Sequence, residues 1–141
     1  ILELDPLQQI VAEKYIDPGE EYFRDHFPGF PVVPGVLMIE MMAQTAGKCL
    51  MAGTETSRWP VLLQVVRGNF RKIVHPGVTL RMHAKITSVT AATAGADAYV
   101  VRDGERVADA SLLFGYVSRD VLSPGFEDEV LRDFLKRQGD S

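Results

Sequence analysis

A long apolar segment with one acid inside it constrains this chain more than any other feature of the sequence. Residues 35–52 are apolar almost throughout, and Gly53 follows as a stop signal, so the segment is predicted to form a helix. Because the helix has hardly any polar face, we expect it to be covered on both sides. Glu40 stands where such a helix would otherwise carry an apolar residue.

Residues 32–52 have the apolar content of a membrane span, but the polar residues among them argue against one. Glu40, Gln44 and Lys48 lie inside this range, and charged side chains are unfavourable in the lipid interior. The chain of 141 residues carries a net charge of −4, whereas nucleic-acid binders are usually basic. Its single cysteine, Cys49, fits a reducing compartment. We therefore expect a cytoplasmic protein with neither a membrane nor a nucleic-acid partner.

A stiff loop leads into the predicted helix. Pro28, Pro31 and Pro34 recur at every third residue, which is the period of polyproline II. Each proline fixes its own backbone and restricts the residue before it, so the loop has little conformational entropy to lose. His26 stands at the start of this loop, and Gly35 stands at its end, where the helix begins.

The rest of the chain consists of predicted strands, turns and one further helix. Strand patterns occupy residues 9–16, 60–70, 79–89, 98–102 and 106–115. The last two strands are joined at Asp103-Gly104, a hairpin signal, and residues 126–138 are typical of an amphipathic helix. Because the connections are short, the sequence predicts an α+β fold in which an antiparallel sheet wraps around the long central helix. We expect a single domain over residues 1–141, of which 121–141 form a C-terminal helical extension.

Three kinds of chemical group come together in the loop and the first turns of the helix. Burial favours the protonated form of a carboxyl group, so Glu40 is a candidate general acid. Gln44 lies one turn further along the same face and can orient it. His26 is a candidate general base, and the free N–H groups of Gly35 or Val36 can stabilise an oxygen that gains negative charge. Elimination of water from a 3-hydroxyacyl thioester needs a base, an N–H donor and an acid of this kind.

Structural roles compete with these interpretations. Glu40 could reach the surface or pair with an arginine elsewhere in the chain. Phe27, Phe30 and Phe70 could line an acyl tunnel, but they could also be ordinary core or interface residues. The three histidines and one cysteine give no metal-ligand spacing, so no metal site is expected.

The loop and helix together resemble the hotdog-fold 3-hydroxyacyl-[acyl-carrier-protein] dehydratases, in particular the FabZ branch. The matching residues are His26-Phe27-Pro28-Gly29, Pro31, Pro34-Gly35-Val36-Leu37, Glu40 and Met42-Ala43-Gln44. The spacing of His26 and Glu40 fits the catalytic pair of that family. A weaker resemblance extends over roughly residues 1–117, whereas the predicted helix at 126–138 lies beyond it.

The resemblance implies an activity and a set of roles. It implies dehydration of (3R)-3-hydroxyacyl-[acyl-carrier-protein] thioesters to trans-2-enoyl thioesters in fatty-acid biosynthesis, with no cofactor apart from the phosphopantetheine that carries the substrate. His26 and Glu40 would be catalytic, Gly35 would supply the backbone N–H, and Gln44 would support Glu40. Val36, Gln44 and the three phenylalanines are the candidates for contact with the substrate. Glutamate rather than aspartate at position 40 favours a dehydratase without isomerase activity.

A geometric argument suggests that two chains share each site. If residues 26–35 stay extended, their ends are up to ~28 Å apart, and Gly35 to Glu40 adds only about 7 Å along the helix. His26 would then not reach Glu40 of its own chain unless the loop folds back. Pairing with a second subunit resolves this, and the resemblance implies the same, namely a homodimer or a trimer of dimers with active sites at the dimer interface.

The partner and the reaction each leave alternatives open. Arg67, Arg71 and Lys72 cluster near a strand end, either as a docking patch for an acidic acyl carrier protein or as an ordinary solvated edge. The chain could also be a hotdog acyl thioesterase, which would release a free thiol, or a non-catalytic acyl-thioester-binding module.

Overall fold

A computed structural model of the chain describes residues 1–24, 27, 29, 31–54, 58–118 and 129–139. Its elements in chain order are strands β1 (Glu3–Asp5) and β2 (Gln9–Tyr15), a 3-10 turn (Glu21–Arg24), helix α1 (Gly35–Ala52), strands β3 (Arg58–Phe70), β4 (Thr79–Val89), β5 (Thr93–Arg102) and β6 (Glu105–Ser118), and helix α2 (Glu129–Gly139). The predicted strands and both predicted helices are present. The strand expected from residue 98 begins earlier, at Thr93, and residues 126–128 of the second predicted helix lie outside the described residues.

The strands form one antiparallel sheet in the order β1-β2-β4-β5-β6-β3. The hairpin predicted between β5 and β6 is confirmed at Asp103 and Gly104, whose φ angles are 51° and 81°. Positive φ at both central residues matches the right-handed twist of the paired strands. The antiparallel sheet that the short connections predicted is therefore confirmed.

Helix α1 packs on one face of this sheet and contacts five of its strands. Small side chains on β5 and β6 line the sheet under the helix, and five of them are fully or almost fully buried: Ala94, Ala96, Ala98, Ala108 and Ala110. From the helix, Met42, Ala46, Cys49 and Leu50 are completely buried against the strands. Small residues let the helix come close to the sheet, and the larger side chains fill the remaining volume at the density of a protein interior.

The prediction that α1 is covered on both faces is wrong for the single chain. Val36 is 81% exposed, and Glu40 and Gln44 are exposed as well. These residues recur at every fourth position, so they form one stripe on the side of α1 that faces away from the sheet. The sheet covers only one side of the helix, and Glu40 reaches the surface of the single chain instead of its core.

The edge of the sheet at β3 is long and unusually apolar. Leu63 and Val66 are each 60% exposed, and both lie where the pairing of β3 with β6 shifts register. Such bulges turn a side chain away from its regular position in the strand. A long edge strand with exposed apolar side chains is a surface that favours pairing with another chain.

The C-terminal helix α2 is amphipathic, as predicted. Leu131 and Phe134 are buried, whereas Val130 and Leu135 are largely exposed. Among the helices that the structure describes, none is both long enough and apolar enough for a membrane span.

Candidate active site

The start of α1 presents backbone N–H groups without a side-chain cap. Pro34 is the N-cap residue, and no side chain caps the helix. The carbonyl oxygen of Pro34 accepts hydrogen bonds from the N–H groups of Leu37 (3.0 Å) and Met38 (3.2 Å). The N–H groups of Gly35 and Val36, which come before them, have no partner inside the helix, and they lie at its positive dipole end. This position suits an oxygen that gains negative charge.

The ring of Phe70 lies directly against Gly35. A Cβ atom added at Gly35 would be 3.0 Å from Cζ of Phe70 and 3.1 Å from its two Cε atoms. Only glycine leaves room for the ring at this distance. The end of β3 and the start of α1 therefore meet at the residues that were predicted to supply an N–H group and an acyl contact.

Two hydrogen bonds hold the described part of the loop in place. The N–H of Val33 donates to the carbonyl of Val74 (2.7 Å), and Nδ1 of His75 lies 3.0 Å from the carbonyl oxygen of Pro31. Local sequence patterns could not assign His75 to the loop, because the contact joins residues that are far apart in the chain. His26 and Phe30 lie outside the described residues, and Phe27 is half exposed.

Glu40 and Gln44 are hydrogen-bonded to each other. Nε2 of Gln44 donates to Oε1 of Glu40 over 2.8 Å, as the spacing of one helical turn allows. This is the contact expected if the amide orients the carboxyl group. Both side chains point away from the sheet, so the pair is accessible from the exposed side of α1.

A groove of about 970 Å³ runs along this side of the helix. One wall is formed by α1 and another by the first half of β3, and the groove is lined by Glu40, Ala43, Gln44, Gly47, Lys48, Met51, Trp59, Pro60, Val61, Leu62, Phe114, Glu129 and Val130. Apolar side chains predominate, and the polar groups lie mainly along the helix. Lys48 and Trp59 were not predicted as site residues, because nothing in the local sequence brings the start of β3 to the end of α1.

The sequence matches the FabA-like domain family over residues 2–111. The chain belongs to the FabA-like family. It is 34% identical to the 3-hydroxyacyl-[acyl-carrier-protein] dehydratase FabZ of Roseiflexus sp. (strain RS-1) over 119 residues, which is 84% of this chain and 83% of that protein. It is 36% identical to FabZ of Oenococcus oeni over 115 residues, which is 81% of this chain and 83% of that protein.

The structure of this FabA-like chain also resembles solved structures with much lower sequence identity. The fluoroacetyl-CoA thioesterase FlK superposes with a TM-score of 0.69 at 11% identity, covering 99% of this chain and 98% of that one. Such a likeness concerns the fold alone. The predicted hotdog fold is confirmed.

The cationic cluster that was predicted at the end of β3 is already paired in the FabA-like chain. Nε of Arg71 lies 2.6 Å from Oδ2 of Asp109, and Nζ of Lys72 lies 2.9 Å from Oε1 of Glu105. Partial burial raises the pKa of Asp109, but hydrogen bonds from Asn69 and Arg71 outweigh it and leave the pKa of Asp109 lowered. Each of these two cations therefore has an anionic partner on β6.

Proposed function

We propose that this FabA-like protein dehydrates (3R)-3-hydroxyacyl-[acyl-carrier-protein] thioesters to trans-2-enoyl thioesters in fatty-acid biosynthesis. The observation that carries the proposal is the hydrogen-bonded pair of Glu40 and Gln44 at the mouth of an acyl-sized groove. The pair lies about two turns from the uncapped start of α1. The similarity to FabZ proteins over more than four-fifths of the chain supports the same activity.

The reaction assigns one step to each group. His26 removes a proton from C2 of the acyl chain, while the N–H groups of Gly35 or Val36 stabilise the thioester oxygen as it becomes enolate-like. Glu40, oriented by Gln44, then gives its proton to the C3 hydroxyl group, which leaves as water. The bond between C2 and C3 becomes a double bond, and no oxidant or reductant is consumed.

The exposure of Glu40 in the single chain fits a site that a second subunit completes. A carboxyl group that acts as a proton donor needs surroundings that favour its neutral form, and burial supplies them. The apolar edge of β3, with Leu63 and Val66 exposed, offers a surface for a symmetric partner. A homodimer, alone or as a trimer of dimers, would cover Glu40 and bring it close to His26 of the partner.

The substrate and setting follow from the same proposal. The acyl group arrives on the phosphopantetheine arm of an acyl carrier protein, and the reaction needs no further cofactor. The single cysteine of the chain, Cys49, supports a cytoplasmic setting. Phe27, Phe30 and Phe70 remain candidates for contacts with the acyl chain near the loop.

The reaction is tested by incubating the protein with 3-hydroxyacyl carrier substrates and recording two products. The proposal expects enoyl absorbance to rise in proportion to protein, with no release of free thiol. A thioesterase would release thiol without enoyl absorbance. Tight acyl binding with neither product would identify a binding module.

The shared site is tested by mixing two inactive variants, His26→Ala and Glu40→Gln. In a mixed dimer one of the two sites regains both intact residues, so part of the activity should return. Verified heterodimers with no recovered activity would contradict a site built from two chains.

A further inference from the structure

Helix α2 lies beyond the part of the chain that matches the FabA-like family, yet it borders the groove that contains Glu40. The family match ends at residue 111, whereas α2 spans Glu129–Gly139. Glu129 and Val130, in its first turn, line the same groove as Glu40. The helix therefore adds a wall to the site that the matched region does not supply.

The two faces of α2 have different surroundings. Leu131 and Phe134 are buried, so this face attaches the helix to the rest of the protein. Val130 is 58% exposed, and it contributes its exposed surface to the groove. Leu135 is also exposed, but it does not line the groove. These two residues form a matched pair, one inside the groove and one outside it.

The groove has open space over the middle of α1. Gly47 is buried, but among the described residues no atom apart from its chain neighbours and the helix's own backbone would lie within 4 Å of a Cβ atom added there. Ala43 lies one turn before Gly47 and also lines the groove, so small residues leave room above this part of α1. Along the helix axis, Glu40 and Met51 are about 16 Å apart, which is comparable to an extended fatty acyl chain of medium length.

Large apolar side chains from three elements line the groove. Met51 of α1, Trp59 of β3 and Val130 of α2 are among them, and Met51 lies eleven residues beyond Glu40 along the helix. An acyl chain whose C3 hydroxyl group is at Glu40 would extend over Gly47 towards these three side chains. Contact with them removes the methyl end of the chain from water, which is favourable in proportion to the apolar area buried.

We propose that α2 closes the far end of the acyl groove, and that Val130 limits the length of the acyl chain that the site accepts. The inference rests on the proposed dehydration, because it takes Glu40 as the fixed point from which the acyl chain is measured. A substrate longer than the groove would have to displace α2 or leave its terminal methylene groups in water. The site is thus specific for acyl chains up to the length that ends at Val130.

Trp59 provides a direct measurement of binding, because it is the only tryptophan of the chain and lines the groove. The chain of 141 residues is titrated with acyl-pantetheine thioethers of increasing acyl length, which bind but cannot react. We expect the emission of Trp59 to change on binding, and the affinity to rise with chain length up to a limit and then to stop rising.

Four variants locate that limit. Val130→Phe should weaken binding of the longest analogues about 10-fold or more and leave the shortest unchanged within about 2-fold, since single-methylene differences in apolar pockets give roughly 10- to 200-fold effects. Val130→Ala should move the limit to longer chains. Leu135→Ala, the matched control, should leave the length profile unchanged. Gly47→Leu places a side chain in the open space and should abolish the response of Trp59 without destabilising the helix, because leucine favours helices more than glycine does.

The outcomes separate this proposal from the proposed reaction. Any one of three results would overturn the role of α2. The first is an identical length profile for wild type and Val130→Phe, and the second is an equal shift of the length limit in Val130→Ala and Leu135→Ala. The third is the absence of any response of Trp59 to the analogues. Enoyl formation with an unaltered length profile would leave the dehydratase assignment intact. Conversely, length-dependent binding that responds to Val130, with no enoyl formed from any hydroxyacyl substrate, would support the role of α2 and overturn the dehydratase.

Discussion

Two polar regions of the protein, which look equally promising in the sequence, differ in how their charges are satisfied. At the end of β3, Arg71 and Lys72 each pair with a carboxylate of β6 at 2.6 and 2.9 Å. On α1, the carboxyl group of Glu40 is hydrogen-bonded to the neutral amide of Gln44, and the described residues place no cation against it. The first region is locally neutralised, whereas the second is held by a neutral hydrogen-bond donor.

This difference separates a structural cluster from a chemical one. A cation held by a neighbouring carboxylate attracts an acidic partner only weakly, because the partner meets a pair of opposite charges. Docking of an acyl carrier protein at Arg67, Arg71 and Lys72 stays a prediction, and two of these three cations would meet the partner as members of ion pairs. A carboxyl group held by an amide keeps a fixed orientation, and a second subunit could still alter its surroundings.

Among these substitutions, Glu40→Gln should have the largest effect on catalysis. The substitution preserves shape but removes the proton donor, and kcat for dehydration should fall about 10²- to 10⁴-fold, the usual contribution of general acid catalysis. Because Glu40 is exposed in the single chain, the free energy of unfolding should change by no more than about 0.5 kcal/mol. Enoyl absorbance measures the first quantity and urea unfolding the second. Undiminished turnover in this variant would refute the assignment of Glu40.

Gly35→Ala tests whether the start of α1 is as close-fitting as the contact with Phe70 indicates. The added Cβ would lie 3.0 Å from the ring, so the ring or the first turn must move. A displacement of about 1 Å in a catalytic group can reduce the rate by about 10²-fold. A second substitution, Phe70→Leu, removes the ring and should restore most of the loss if the clash is the cause. Equal rates for the single and double variants would show that the contact has no bearing on catalysis.

Much of the fold could be predicted because its signals are local. The bounds of α1, the strand over Thr79–Val89 and the Asp103-Gly104 hairpin depend on residues that are adjacent in sequence. The early start of β5 was missed because the residues after Thr93 include alanines and a glycine, which favour strands only weakly on their own. Their pairing with β6, and not their intrinsic preference, makes them a strand.

The candidate site could be predicted only in part, for a similar reason. The hydrogen bond between Glu40 and Gln44 joins two neighbouring turns, so sequence spacing was enough to expect it. The contact of Phe70 with Gly35 and the pairing of Arg71 with Asp109 join distant parts of the chain. The exposure of Glu40 was missed because an apolar composition indicates that a helix is buried, but not how many of its sides the sheet can cover.

Gln44→Met should have an intermediate effect. Methionine keeps the length and helix preference of glutamine but removes the N–H group that binds Glu40. Loss of one hydrogen bond to the carboxyl group should therefore reduce kcat about 10-fold. Because the amide acts through Glu40, KM should stay nearly constant, and the double variant with Glu40→Gln should be no slower than Glu40→Gln alone. A change confined to KM would instead assign Gln44 to substrate binding.

Asp109→Asn, on the paired region, should alter stability rather than catalysis. The lowered pKa of Asp109 means that the folded protein favours the carboxylate, so the stabilisation is complete above the ordinary pKa of about 4 and disappears as the pH falls through the lowered value. Since Arg71 is half exposed, we expect the substitution to lower the free energy of unfolding by about 1 kcal/mol at neutral pH. Urea unfolding should show this difference at pH 7 and its disappearance in acid, with kcat unchanged. A large loss of turnover would mean that the paired cluster also takes part in the reaction, and the contrast with Glu40 would no longer hold.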